Sequence, residues 1–164
     1  METVKVIDWH PIWDGGAPMP QVFSNGRKIY LIYSIAEWDE DSITEIKSID
    51  NSKGNEELLA LVEFNGHTFR FGIANDEVFP GLPLYKNGLN EWAHTIENSK
   101  WIDELKQIHK VHHYYSELNW TKKNHYAFLF KDEILEVIAT DYQIDVYKTS
   151  YDRLGAEVIN RMNL

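Results

Sequence analysis

The chain has 164 residues, a hydrophobic fraction of 43%, an aromatic fraction of 13%, and a formal net charge of −10 from 26 acidic and 16 basic residues. That much apolar side chain can close a core, which excludes global disorder. The acidic balance repels phosphate backbones and argues against nucleic acid, leaving a basic protein partner or simple solubility as the meaning of the charge.

No cysteine is present, so disulfides, thiol nucleophiles and cysteine-held metal centres are out. The length predicts a single domain spanning 1–164. The opening METVKVIDWHPIWDGG lacks the basic-then-apolar order of a secretory signal. No apolar run approaches the ~18–20 residues of a membrane span. A cytoplasmic protein with no membrane partner is therefore the expectation.

In chain order, Val4–Trp9 alternates loosely and predicts a short strand. Three of the five prolines and Gly15-Gly16 fall between His10 and Pro20, which predicts an arm pinned to the body by Trp9, Ile12 and Trp13. Ser24-Asn25-Gly26-Arg27 suits a two-residue turn of a hairpin, since Asn and Gly tolerate positive φ. It would join Gln21–Ser24 to a strong strand over Arg27–Ala36. Ile43, Ile46 and Ile49 recur every third residue, which fits either a short helix or an irregular edge.

Asn65-Gly66 is a strong local hairpin signal. It would pair Glu57–Phe64 with His67–Ile73, placing Phe64 opposite His67, Val62 opposite Phe69, Ala60 opposite Phe71 and Leu58 opposite Ile73. Glu63 and Arg70 would then meet diagonally on the other face. The following stretch leaves that strand at Asn75-Asp76-Glu77, crosses Pro80-Gly81-Leu82-Pro83 and Tyr85, and pivots at Gly88. It is the densest concentration of acids, aromatics and backbone-restricting residues in the chain.

Ala93–Glu97 predicts a short strand. Ser99 or Asn98 then caps a helix over about 99–111, with Trp101, Ile102, Leu105 and Ile108 as its apolar stripe. His125–Lys131 and Ile134–Thr140 predict a hairpin around Asp132-Glu133, apolar on both faces and therefore central. Tyr142–Tyr147 adds a strand. Thr149-x-x-Asp152 resembles a capping box for a last helix over about 150–162, striped by Tyr151, Leu154, Val158 and Met162. The whole predicts an α+β domain: an antiparallel sheet built from hairpins and covered by two helices.

The order FGIANDEVFPGLPLY, GL, ENSKWIDEL and HYAFLFKDEILEVIA resembles a family of bacterial proteins with no established activity. The similarity covers roughly residues 60–140. It implies that Asn75, Asp76, Glu77, Tyr85 and Glu136 are positions of interest, and it carries over no cofactor and no catalytic role. Leu82 and Lys131 stand where the family pattern implies a polar or His side chain.

Several constellations could carry chemistry. Asp76 and Glu77, following a strand and preceding a Pro-Gly turn, could aim carboxylates at a cleft, or Asn75 and Asp76 could satisfy turn N–H groups. Glu136, set among Leu129, Ile134 and Ile138, is either buried and perturbed or paired with a cation. It is expected to contact the 75–85 loop. His109, His112 and His113 with Glu117 lack the HExxH spacing of a zinc site and more simply end a helix. No metal or cofactor is expected. His125 reads as a strand-end residue or as a general base.

No dinucleotide fingerprint, phosphate loop or nucleophile elbow is present. Two functions remain against a purely structural role. The favoured one is a non-enzymatic, immunity-protein-like domain that binds a basic protein partner, with Asn75, Tyr85 and the acidic cluster Trp38, Asp39, Glu40 and Asp41 as contact candidates. The alternative is a small hydrolase or ligand-binding enzyme using Asp76, Glu77, Glu136 and His125.

Overall fold

A computed structural model describes residues 1–36, 45–49, 56–66, 68–90 and 92–164. Contacts divide the chain into two compact units, Met1–Asp8 with Thr68–Asp141 and Trp9–His67 with Tyr142–Leu164. In chain order the strands are β1 (Thr3–Val6), β2 (Gln21–Ser24), β3 (Ile29–Ser34), β4 (Ile46–Ser48), β5 (Glu57–Phe64), β6 (Thr68–Ile73), β7 (Ala93–Glu97), β8 (Asn124–Leu129), β9 (Glu133–Ala139) and β10 (Tyr142–Thr149). The helices are α1 (Lys100–His109), the short α2 (Glu117–Thr121) and α3 (Tyr151–Met162). The fold is α+β, as the sequence predicts, with the strands shared between two sheets and α2 added to the two expected helices.

The second unit holds the sheet β2-β3-β5-β10-β4, antiparallel except where β4 runs parallel to β10. Residues 29–33 of β3 and 59–62 of β5 are all buried, as their unbroken apolar runs require when both faces of a sheet are covered. On one face Tyr30, Ile32, Leu59, Leu61 and Tyr147 pack against Leu154 and Val158 of α3. On the other, Trp13 meets Tyr33 edge-on at 5.9 Å, and the Trp9 indole donates to the Tyr33 hydroxyl at 3.1 Å. That hydroxyl donates onward to the Pro11 carbonyl at 2.6 Å. Trp9 and Trp13 pin the arm as expected, whereas Ile12 is exposed. Ile46–Ser48 resolves the helix-or-edge ambiguity in favour of an edge strand, and Ser150, not Thr149, stands at the N-cap of α3.

The largest correction concerns Asn65-Gly66. β5 pairs with β3 and β10, while β6 pairs with β9 in the other sheet. The predicted cross-strand pairs of residues 57–62 with Phe69, Phe71 and Ile73 therefore do not form, and His67 lies outside the described residues. Glu63 accepts from Tyr30 at 3.1 Å and pairs with Lys28 at 3.1 Å, not with Arg70. A two-residue turn stabilises only a local hairpin. A strand buried on both faces gains more from two long-range neighbours, and that gain decides the pairing here.

Two hairpins survive with longer or displaced turns. Ser24 lies opposite Ile29, so the turn spans four residues. The Asn25 carboxamide oxygen closes it by accepting from the Arg27 and Lys28 amides at 2.9 and 3.0 Å, and Gly26 supplies the positive φ of 81°. In the β8–β9 hairpin Ala127 faces Glu136 and Leu129 faces Ile134, which places the turn at Lys131-Asp132. This register differs by two residues from the predicted one, and a slip of two leaves every side chain on its predicted face.

The first unit holds the antiparallel sheet β1-β7-β8-β9-β6. One of its faces carries Ile96, Ala127, Leu129 and Ile134. Over that face lies the segment between β6 and β7, through Ala74, Phe79, Leu82, Leu84 and Leu89. The segment folds as two single 3₁₀ turns, Phe79–Gly81 and Tyr85–Asn87. Pro80 is placed where a missing N–H costs nothing, and Gly88 ends the second turn at φ 107°.

Candidate ligand-binding cleft

Register sets the site. Arg70 of β6 stands opposite Glu136 of β9, which stands opposite Ala127 of β8, which stands opposite His94 of β7. Directly opposed residues of neighbouring strands share a face, so a guanidinium and a carboxylate are set side by side. Arg70 Nη2 donates to Glu136 Oε1 at 2.8 Å. His125 Nε2 donates to the same oxygen at 2.9 Å. A carboxylate can only accept here, so Nε2 carries a proton.

The other ring nitrogen, Nδ1, lies 2.7 Å from Ser99 Oγ. Ser99 is the N-cap of α1, and its Oγ also accepts from the Ile102 amide at 3.1 Å. Serine at this position satisfies one orphan N–H of the first turn, and the same hydroxyl is hydrogen-bonded to the imidazole. Trp101, in that same turn, presents its ring edge-on to His125 at 5.1 Å. The Arg70 guanidinium lies over the Trp101 ring with Cζ 3.9 Å from the centroid. Helix cap, aromatic ring, histidine and ion pair thus fix one another.

Burial pushes the Glu136 carboxyl up, but hydrogen bonds from His125 and Arg70, together with the charge of Arg70, outweigh it and hold the carboxyl below its ordinary value. His94 shows the opposite balance. Burial lowers its pKa against a hydrogen bond to the Ala127 carbonyl. Its Nε2 accepts from the Asn90 amide at 3.2 Å, so Nδ1 is the protonated nitrogen facing Ala127 O at 3.2 Å. His94 is a neutral core histidine that ties the segment before β7 to the sheet.

The Arg70–Glu136–His125 group opens into a cleft of about 470 Å³. Leu82, Pro83, Leu84, Leu89, Ala127 and Ile134 supply its apolar lining, and Glu2, Lys100 and Glu104 supply further charge. Glu2 is anchored, accepting from the Lys100 amide at 2.8 Å.

The predicted site residues separate clearly. Glu136 and His125 come together and both line the cleft. The 75–85 loop reaches the same cleft through Leu82, Pro83 and Leu84, while the hydrogen bonds of Glu136 go to Arg70 and His125. Asp76, Glu77 and Tyr85 are exposed and do not line it. Backbone bonds hold the loop, with the Asp76 amide donating to Lys131 O at 2.9 Å and the Val78 amide to Asn75 O at 3.0 Å. Asn75 is half-buried, and its Oδ1 is without a hydrogen-bond partner among the described residues. Trp38, Asp39, Glu40 and Asp41 lie outside the described residues. Along α1, Ile108 is exposed rather than part of a buried stripe.

His109 Nδ1 donates to its own helix at Leu105 O, 2.7 Å away, and the rings of His112 and His113 stack at 4.9 Å. Among the described residues no group of three His, Asp or Glu side chains is placed to hold a metal ion. No helix among them is long and apolar enough to cross a membrane.

Arg70, Lys100, Trp101, Glu2 and Glu104 are the cleft residues that sequence reasoning did not single out as a site. A signal for Arg70 was present, since it is the one charged residue of Thr68–Ile73. Ser99→Ala removes the cap and the imidazole's partner together. It is expected to cost about 1–2 kcal/mol in chemical denaturation, and a cost near zero would show that Ser99 holds neither. No family model matches the chain, and no curated protein or solved structure matches it either.

Proposed function

We propose that the first unit is a binding module for a small ligand with an apolar body, taken up in the cleft that ends at Arg70, Glu136 and His125. The observation that carries this reading is the Arg70–Glu136 pair, joined by His125, at a cleft whose wall is otherwise largely aliphatic. The pair is partly open to solvent, with Arg70 52% and Glu136 18% exposed, and an ion pair so placed contributes little to stability, so the fold alone gives small reason to keep one there. An apolar cleft with a few convergent, immobilised polar groups is what ligand recognition requires. Both hydrogen bonds to Glu136 use Oε1, which leaves Oε2 to accept from a ligand. Asp76 and Glu77 form no part of this proposal.

An acidic domain binding a basic protein is the second reading. The net charge of −10 supports it, and capture of a basic partner that weakens as salt is raised would favour it.

A direct test of the cleft fills it. Leu84 is half-buried in the cleft wall, and Leu84→Trp is expected to weaken binding of the fluorescent dye anilinonaphthalene sulfonate at least about tenfold. The denaturation midpoint should be unchanged. Equal dye binding by both proteins would remove the cleft as the site.

A further inference from the structure

We infer, building on the cleft as a ligand site, that its ligand is a zwitterion bearing an apolar side group: an apolar α-amino acid or a short peptide of such residues. The charges that line the cleft are of both signs, Arg70 and Lys100 against Glu2, Glu104 and Glu136. A purely anionic ligand would meet three carboxylates there, and a purely cationic one would meet two fixed cations. A molecule carrying a carboxylate and an ammonium beside an apolar group matches both signs and the aliphatic lining at once.

Two further observations sharpen the match. Lys100 and Glu104 are one helical turn apart on α1 and both line the cleft, yet neither side chain makes an ion pair among the described residues. Lysine four residues before glutamate is the less favourable order for an intrahelical pair, so both ends stay open to a ligand. The Arg70 guanidinium uses Nη2 for Glu136 and rests its plane on Trp101. The planar fork of its other N–H groups suits capture of a carboxylate. The ligand carboxylate therefore goes to Arg70 and Lys100, its ammonium to Glu104 and to Glu136 Oε2, and its side group to Leu82, Leu84 and Ile134.

Calorimetric titration of the full chain tests the inference with L-leucine, leucyl-leucine, 4-methylpentanoic acid and 3-methylbutylamine. At least one of the two zwitterions is expected to bind, and the tighter one names the source, free amino acid or peptide. The acid and the amine, each lacking one charge, are expected to bind at least about tenfold more weakly. Lys100→Gln, at a site away from the buried network, should weaken zwitterion and acid but leave the amine unchanged, and Arg70→Gln should weaken zwitterion and acid.

An acid or amine that binds as tightly as the better zwitterion would overturn the zwitterion while leaving the cleft intact as a ligand site. Absence of zwitterion binding would also overturn it. The dye experiment with Leu84→Trp then shows separately whether the cleft reading falls with it.

Discussion

Glu136→Ala is expected to destabilise the first unit by about 2–3 kcal/mol, read from urea denaturation near neutral pH. The carboxylate is 18% exposed and binds two donors, of which Arg70 is 52% exposed and His125 is 1% exposed. On truncation Arg70 returns to water at little cost. The His125 Nε2–H is left in the interior without an acceptor, and that orphaned donor carries most of the loss. Glu136→Gln keeps an acceptor oxygen and should cost roughly half as much.

The pH dependence has a definite sign. A carboxyl whose folded pKa lies below its unfolded value binds its proton more readily in the unfolded chain. Its contribution is fully present above the unfolded value of about 4.3 and is lost as the pH falls through the lower folded value. The contribution of Glu136 to the difference between wild type and Glu136→Ala should therefore shrink as the pH falls below about 4. A difference that grew on acidification would contradict the assigned hydrogen bonds.

Leu154→Ala should cost about 3–4 kcal/mol, read from the transition that unfolds the second unit. Leu154 is fully buried between α3 and the β3–β5–β10 sheet, in one cluster with Tyr30, Leu59 and Tyr147. Truncation removes buried methyl and methylene groups and leaves a void in a wall of strands that cannot close around it. The urea slope should stay unchanged, because the same surface is exposed on unfolding. A loss below about 1 kcal/mol would mean that α3 does not cover that face.

Local signals in the sequence were realised locally. The helical spacing of Tyr151, Leu154, Val158 and Met162 placed α3 within a residue of its bounds, and Ser99 was legible as a cap because cap chemistry spans only three residues. Strand positions were legible too, from runs such as Ile29–Tyr33. Partners were not. The Asn65-Gly66 turn chemistry pointed to a β5–β6 hairpin, yet both strands took long-range neighbours, and for β5 burial of two apolar faces outweighs a turn preference.

The same blindness hid the site. Arg70 and Glu136 are separated by 66 residues, and each reads alone as an odd charge in an apolar strand. Only the β6–β9 register makes them a pair. The stretch from Phe69 to Trp92 does reach the cleft, but through Arg70, Leu82, Pro83, Leu84 and Leu89 and not through Asp76, Glu77 or Tyr85. Acids just after a strand drew attention by type. Their side chains stay in water because the turn itself is held by backbone bonds to Lys131 and Asn75.

The most direct measurement of the ligand site is a nitrogen–proton NMR titration of the uniformly labelled full chain with leucyl-leucine and, in parallel, with anilinonaphthalene sulfonate. The expected result is saturable shifts at the amides of Arg70, Leu84, Ala127 and Glu136 and at the Trp101 indole. Shifts confined to other surfaces, such as the polar groove around Trp120 and Lys123, with those five signals unmoved, would contradict a ligand site between the Arg70–Glu136 pair and α1.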